Sequence, residues 1–158
     1  MTSLKTLIIC KSVHHQNTAR VASAMARVLD AHVLAPEDIE PSQVSNYDLI
    51  GIGSGVYFGQ LHSELYRWID SIPQQTSGRL KAFVFSTSGL PLLSWFWHRS
   101  IKSKLSKRGI DVIAEFECPG FDTVGPLRFL GGLNRGRPND RDLDEAADFA
   151  RLIQMIPA

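Results

Sequence analysis

Short apolar runs alternate along the chain with segments of helical periodicity. The first run, at 5–10, is nearly continuous through Leu7, Ile8 and Ile9, which is typical of a strand that is buried on both faces. Similar runs occur at 48–53, 80–85 and 110–116, and a weaker one occurs at 32–34. The pattern therefore predicts five strands.

Four other segments carry apolar residues at helical spacing. The first begins at Asn17 or Thr18, either of which can cap a helix, and ends near Asp30. The second ends before Pro73, and the fourth extends over about 140–156 with a cap at Asn139 or Asp140. The third ends at Gly109, and its apolar positions step by four residues: Leu93, Trp97, Ile101 and Leu105.

This alternation predicts an α/β fold with a doubly wound, five-stranded parallel sheet in the order 2-1-3-4-5 and helices on both faces. The 158 residues show no repeat or linker, so residues 1–158 are expected to form a single domain. Ligands of such sheets bind beyond the carboxyl ends of the strands. The loops that follow the strands are therefore the places to look for chemistry.

The composition narrows the class of protein further. Seventeen basic and sixteen acidic residues give a net charge of +1, and 44% of residues are apolar, which argues against disorder and against nucleic-acid binding. The sequence has no apolar stretch long enough for a transmembrane segment and no signal-peptide core, so a reducing, cytoplasmic location is expected. Cys10 and Cys118 lie roughly 14 Å apart in the predicted strand order and are expected to be thiols.

The loop after the first strand connects a strand end to a helix start. Its hydroxyl, imidazole and amide groups, together with backbone N–H groups, face the positive end of a helix dipole, which suits a phosphate monoester. An ordinary capped helix explains the loop equally well. The candidate phosphate ligands are Ser12, His14, His15, Asn17 and Thr18.

Two further loops combine glycine and hydroxyl residues, with aromatic residues within the first of these loops and just after the second. Glycines allow a flat ring to approach the backbone, and aromatic side chains can stack on that ring. The same aromatics also suit the edge of a core. The candidate ring-binding residues are Ser54, Gly55, Tyr57, Phe58 and Gly59 after strand three, and Ser86, Thr87, Ser88 and Gly89 after strand four.

Such a layout suits a ligand with a phosphate tail and a planar head, and FMN fits that description. Here the chain resembles the flavodoxin family over essentially its whole length. The motifs that carry the resemblance are Ser-x-His-His-x-Asn-Thr at 12–18, Gly-Ser-Gly-Val-Tyr-Phe-Gly at 53–59, Pro-Gly-Phe-Asp-Thr at 119–123, Gly-Gly at 131–132 and Gly-Arg-Pro at 136–138. His14 and His15 stand where the usual flavodoxin phosphate loop has Thr and Gly.

The resemblance implies an FMN-binding electron carrier whose partner is a redox protein or a quinone. Tyr57 or Phe58 is expected to stack on the ring, and a peptide near Gly59 to change its hydrogen bond to the flavin on reduction. One alternative is an FMN-dependent oxidoreductase, similar to the protoporphyrinogen dehydrogenases, with His62 facing the substrate, or linked to a quinone or NAD(P)H. A non-redox binding protein on the same fold is another alternative.

A basic segment at 99–108 directly follows Trp95, Phe96 and Trp97. Basic charge beside aromatics suits peripheral contact with an anionic membrane through 95–108. A solvated helix face is the favoured interpretation, because surface helices usually have this pattern. The histidines show no metal-binding spacing, so no metal is expected.

Overall fold

A computed structural model of the protein describes residues 4–121, 129 and 131–157. Within these residues the strands are β1 (Thr6–Lys11), β2 (His32–Leu34), β3 (Leu49–Gly55), β4 (Lys81–Ser88) and β5 (Asp111–Pro119). The helices are α1 (Asn17–Leu29), α2 (Ser63–Asp70), α3 (Ser94–Lys107) and α4 (Asp140–Gln154). None of these helices is long and apolar enough to cross a bilayer.

The strands form a parallel sheet in the order β2-β1-β3-β4-β5, which confirms the predicted fold class and strand order. One apolar layer joins the sheet to α1 and α4, and a second joins it to α2 and α3. The two helices of each pair cover one face of the sheet. All five strands therefore end at the same edge, which is where the loops of interest lie.

Two glycines of β3 allow two large rings of β4 to lie flat on the sheet. A Cβ added to Gly51 would lie 2.4 Å from Cζ of Phe83, and one added to Gly53 would lie 2.3 Å from Cε2 of Phe85. Both rings are fully buried and stand 6.0 Å apart. Glycine is thus required in the middle of β3, because the neighbouring rings occupy the space of a side chain.

The last helix begins where the sequence predicts. Asn139 and Asp142 form a capping box, in which each side chain accepts a hydrogen bond from the backbone N–H of the other residue. The Asp142 carboxylate is buried, and Arg137 pairs with it. This ion pair fixes the segment that precedes α4. The predicted free thiols are also confirmed, since Cys10 and Cys118 are buried and unpaired with each other.

Three boundaries differ from the prediction. β4 continues through 86–88, and β3 includes Ser54 and Gly55, so these residues belong to strands and not to loops. β5 likewise continues to Pro119. The reason is that polar side chains at these strand ends find hydrogen-bond partners inside the protein, so the strands extend beyond their apolar runs.

The buried face of α3 is also displaced from the predicted one. Leu93 precedes the helix and is 39% exposed, whereas His98 is completely buried together with Ile101 and Leu105. A helix has 3.6 residues per turn, so a strict step of four drifts by about 40° per turn. Counting back from Leu105, the buried face therefore passes through His98 and not through Leu93.

Candidate functional site

A cavity of about 470 Å³ lies at the carboxyl edge of the sheet, between the loop after β1 and the loop after β3. Its lining includes apolar, aromatic and imidazole side chains. The lining residues are Val13, His14, Tyr57, Phe58, Gln60, Leu61, His62 and Ser63. The structure thus brings the first two predicted loops together around one concave space.

The loop after β1 presents the start of α1 to this edge. His15 and Gln16 both have φ of 55°, in the left-handed region, and Gln16 is the residue before the helix. The side chain of Gln16 does not cap the helix, and the first turn of α1 contains no acidic residue. Ser12 Oγ accepts a hydrogen bond from the N–H of Ala19 at 3.3 Å. The positive end of α1 is therefore free of negative charge from its own first turn.

Asn17 and Thr18 do not cap α1, so that prediction is wrong. Asn17 Nδ2 donates to the carbonyl oxygen of Phe121 at 2.9 Å, and the hydroxyls of Thr18 and Thr87 lie 2.8 Å apart in a buried hydrogen bond. Gly120 lies against both hydrogen bonds, because a Cβ there would be 3.0 Å from Asn17 Nδ2 and 3.1 Å from Thr87 Cβ. These two side chains join the first loop to β4 and to the end of β5, while Ser12, His14 and His15 remain on the outer side.

Residues 57–60 form a tight two-residue turn. The backbone N–H of Tyr57 donates to the carbonyl of Gln60 at 2.7 Å, and the N–H of Gln60 donates back at 3.1 Å. Phe58 and Gly59 both have positive φ, 50° and 76°, as the favoured hairpin turn requires. Phe58 is 99% exposed at the tip. A large apolar side chain in a left-handed conformation at the rim of a cavity is a feature that folding alone does not favour.

Tyr57 lies between two imidazoles. Its ring centroid is 5.9 Å from that of His14 and 5.4 Å from that of His62, the latter in an edge-on arrangement. His62 Nδ1 accepts the N–H of Glu64 and so caps α2. Burial lowers the pKa of His62 below its usual value, although Glu64 opposes the shift. Both the aromatic ring and a mostly neutral imidazole therefore face the cavity.

The predicted hydroxyl ligands after β3 and β4 are occupied by partners within the protein. Ser54 Oγ donates to the carbonyl of Gly55 at 2.6 Å and accepts the N–H of His62 at 2.8 Å. Ser86 pairs with His98, and Ser88 Oγ donates to Glu117 Oε1 at 2.6 Å. Of the four residues predicted after β4, only Gly89 lies outside that strand, and its carbonyl accepts a hydrogen bond from Asn134 at 3.0 Å. The serine side chains therefore support the edge of the sheet from inside.

A polar layer that the sequence analysis did not identify lies between α3 and the carboxyl halves of β4 and β5. We define it by Ser86, Ser88, His98, Glu115 and Glu117. Burial raises the pKa of Glu117 to about 7, although the neighbouring serine hydroxyls oppose the shift. Burial also lowers the pKa of His98, against the effect of Glu115. The signal that reveals His98 is its 3.6-residue spacing from Ile101 and Leu105.

The turn before α3 and the first turn of the helix expose apolar side chains, and the rest of its outer surface is polar. Leu92 is 91% and Trp95 64% exposed. Two of the basic residues of the helix pair with acids of this chain, Lys102 with Glu115 and Lys104 with Asp70. These pairs agree with the favoured interpretation of a solvated helix face.

Part of the third motif lies outside the described residues, namely Asp122 and Thr123. Three of the motifs meet at one edge: the first loop, the 57–60 turn and the Gly120 region contact one another or the strand ends between them.

The fold and the sequence were compared with known proteins. The chain is 39% identical, over 95% of its length and 98% of the relative, to an uncharacterized protein of Methanocaldococcus jannaschii. Its structure is similar to oxidised flavodoxin 1 from Bacillus cereus, with a TM-score of 0.66, 19% identity and coverage of 97% and 100% of the two chains.

It is also similar to Fusobacterium nucleatum flavodoxin bound to flavin mononucleotide, with a TM-score of 0.64, 12% identity and coverage of 95% and 97%. A family model described as a flavodoxin domain matches residues 7–92, which is more than half of the chain. The protein therefore belongs to the flavodoxin domain family.

Proposed function

We propose that the protein binds FMN at the carboxyl edge of the sheet and carries electrons between redox partners. The observation that carries the proposal is the cavity of about 470 Å³ between the start of α1 and the aromatic 57–60 turn. Membership of the flavodoxin domain family supports it, as does the overall similarity to a flavodoxin that binds this nucleotide.

The donor set fits a phosphate at the start of α1. The first turn of the helix lacks acidic residues, and the side chains of Ser12 and His14 lie on the outer side of the loop. In the proposed site the hydroxyl, the imidazole and backbone N–H groups hold the monoester. Asn17 and Thr18 act indirectly, because their buried hydrogen bonds fix the loop against β4 and the end of β5.

The 57–60 turn fits a flat aromatic ring. Tyr57 lines the cavity, and Phe58 has a fully exposed side chain that can cover a bound ring and exclude water from it. Gly59 has no side chain to block the approach of the ring to the backbone. When bound, the flavin supplies the one- and two-electron chemistry. The chain contributes the orientation of the ring and the hydrogen bonds at its edge.

A substrate-converting, FMN-dependent oxidoreductase is the second candidate. The observation that favours it is the presence of both His14 and His62 in the cavity lining, next to Tyr57. An imidazole of lowered pKa can accept a proton from a bound substrate at neutral pH. A carrier exchanges electrons only with a reductase and an acceptor, whereas this enzyme would turn over a porphyrinogen, a quinone or NAD(P)H.

The test is a calorimetric titration of the apoprotein with FMN, riboflavin and FAD. We expect one FMN per chain, with riboflavin binding at least about tenfold more weakly because it lacks the phosphate. Ser12→Ala should weaken FMN binding and leave riboflavin binding unchanged. Ser42→Ala is the control, because Ser42 is exposed in the segment before β3 and not in a loop that follows a strand. Absence of binding by all three flavins would contradict the proposal, and steady turnover of a substrate would favour the second candidate.

A further inference from the structure

The polar layer beneath α3 is unusual for its position in the fold. The inner faces of α3 and of β4 are otherwise apolar, with Ile101, Leu105 and Val84 fully buried. Beyond Val84 the strand continues with Ser86 and Ser88, and the helix contributes a completely buried imidazole. Burial of polar groups is unfavourable, and apolar residues of similar size would pack there at lower cost.

Three members of this layer form a chain of hydrogen bonds, and Glu117 lies beside its inner end. His98 Nε2 and Ser86 Oγ are 2.8 Å apart, and His98 Nδ1 and Glu115 Oε2 are 2.9 Å apart. Ser86 is the cross-strand neighbour of Glu117, and its hydroxyl acts on that carboxyl group. The hydrogen-bonded chain therefore runs from Glu115 to Ser86, and Glu117, which is bonded to Ser88, is the cross-strand neighbour of its Ser86 end.

The two ends differ in their access to solvent and to the proposed flavin site. Glu115 and Lys102 are paired and each has about a third of its side chain exposed, so the Glu115 end meets water. Glu117 is bonded to Ser88, which directly precedes Gly89 in the loop at the carboxyl edge, and its Oε2 has no hydrogen-bond partner among the described residues. The chain thus leads from the surface toward a half-buried carboxyl group that is bonded to the last residue of β4.

The partners fix the direction of each hydrogen bond. The Glu115 carboxylate accepts from Lys102, so it also accepts from His98, and the imidazole proton is on Nδ1. His98 Nε2 is then an acceptor, which receives the Ser86 hydroxyl proton. The lone pairs of Ser86 Oγ are left to accept a proton from Glu117. Every proton in the chain consequently points outward.

We propose that this chain is a proton relay that exchanges one proton between solvent and the flavin-binding edge each time the cofactor changes its redox state. In the outward step, Glu117 gives its proton to Ser86 Oγ, Ser86 gives its own to His98 Nε2, and His98 gives its Nδ1 proton to Glu115. The net change is one proton moved from Glu117 to Glu115, which releases it to water. The proposal rests on the proposed FMN function.

The same chain carries a proton inward without being reset. After the outward step the imidazole carries its proton on Nε2, so all the hydrogen bonds point toward Glu117. A proton taken up by Glu115 then returns along them. An alternation of one outward and one inward step matches a carrier that alternately gains and loses an electron with its proton.

The charged groups around the relay are consistent with this function. Burial keeps His98 neutral, and the charged groups that act on it are Glu115 from β5 and Lys102 from α3. The groups acting on Glu117 are hydroxyls, from Ser86 and Ser88 on β4 and Ser94 on α3. A neutral imidazole between an acid of pKa about 7 and a solvent-facing carboxylate can accept a proton at one nitrogen and release one at the other.

The first test needs no cofactor. In isotope-labelled apoprotein, NMR should show the His98 Nε2 resonance responding to the ionisation of the Glu117 carboxyl group, because ionised Glu117 competes for the Ser86 hydroxyl proton. In Ser86→Ala the carboxyl group should still titrate, but the His98 response should disappear. Ser86→Thr, which retains a hydroxyl, should restore it, and Ser100→Ala on α3 is the matched control. A His98 response that is absent in the wild type, or unchanged in Ser86→Ala, would overturn the relay.

The second test uses the FMN-loaded protein. Ser86→Ala should slow proton-coupled flavin reduction at neutral pH by at least about tenfold, with a changed solvent deuterium isotope effect, whereas Ser100→Ala should behave as the wild type. Failure to take up FMN, seen as an absence of flavin absorbance, would overturn the proposed function. A loaded Ser86→Ala protein that is reduced at the wild-type rate would overturn the relay alone.

Discussion

The two faces of β4 are built from opposite chemistry. On the face toward α1 and α4, Phe83 and Phe85 lie over two glycines of β3 in a fully apolar layer. On the face toward α3, Val84 continues the core, but Ser86 and Ser88 enter the polar layer. The residues on both faces are completely buried: Phe83, Phe85, Val84 and Ser86.

The comparison separates what stabilises this fold from what positions its site. Burying an aromatic ring contributes several kcal/mol, whereas a buried polar group at best recovers the cost of its desolvation through hydrogen bonds. The polar layer lies only at the carboxyl half of the strand, beneath the loops of the proposed flavin site. Its presence there is better explained by the chemistry at that edge than by stability.

The largest expected effect is on the apolar face. Phe83→Ala should lower the free energy of unfolding by about 3–5 kcal/mol, because it removes a completely buried ring and leaves a cavity over Gly51. Urea unfolding followed by circular dichroism measures the change. A loss of less than about 1 kcal/mol would mean that this face is not the main source of stability.

The polar face should respond to pH in the opposite sense from a normal carboxyl group. Glu117 has a folded-state pKa of about 7, above the unfolded value of 4.5, so its contribution to stability is lost as pH rises through this interval. Glu117→Gln should therefore gain up to about 3 kcal/mol relative to the wild type between pH 4.5 and 8. Unfolding curves at both pH values give this difference, and an equal difference at the two would disprove the assignment.

The 57–60 turn, which contacts α3 through Trp97, should be sensitive to the addition of a methyl group. Gly59 has φ of 76°, and a Cβ there would lie 2.9 Å from the Trp97 ring. Gly59→Ala should cost about 1–2 kcal/mol and weaken FMN binding by shifting the turn. Gly78→Ala is the control, because Gly78 also has positive φ but has no atom within 4 Å of its Cβ position. Equal effects of both substitutions on FMN binding would remove the Trp97 contact from the account.

The smallest effect is expected on the solvated face of α3. Lys104→Ala breaks its ion pair with Asp70, in which both side chains are a third to a half exposed. The free energy of unfolding should fall by about 0.2–1 kcal/mol, and less at high salt. A loss as large as that of Phe83→Ala would show that this face is not simply solvated.

The apolar pattern predicts most of the fold. Buried runs such as Leu7–Ile9 and the alternating helices determine the sheet and its order, because a parallel sheet covered on both faces leaves few arrangements. The pattern does not show where β4 ends, because Ser86 and Thr87 look like loop residues. They belong to the strand only because His98 and Thr18, distant in sequence, provide partners for their hydroxyls.

The same limit applies to the site. The sequence predicts the loop after β1 and the 57–60 turn, and the structure places both around one cavity. The directions of the side chains were not predictable, since Asn17 and Thr18 point to partners about 70 or more residues away. Glu117 lies just beyond the apolar run at 110–116 that predicts the fifth strand, and its raised pKa depends on burial beneath α3.

The most direct test of the central claim is to map FMN binding on the backbone by NMR. Addition of FMN should shift the amide resonances of residues 12–19, 54–60 and 86–90, which lie at the carboxyl edge of the sheet. Resonances near a second cavity, which lies between α2 and α3 and is lined by Asp70, Lys104 and Arg108 among others, should not move. Unchanged spectra with excess FMN, or shifts confined to that second cavity, would contradict the account.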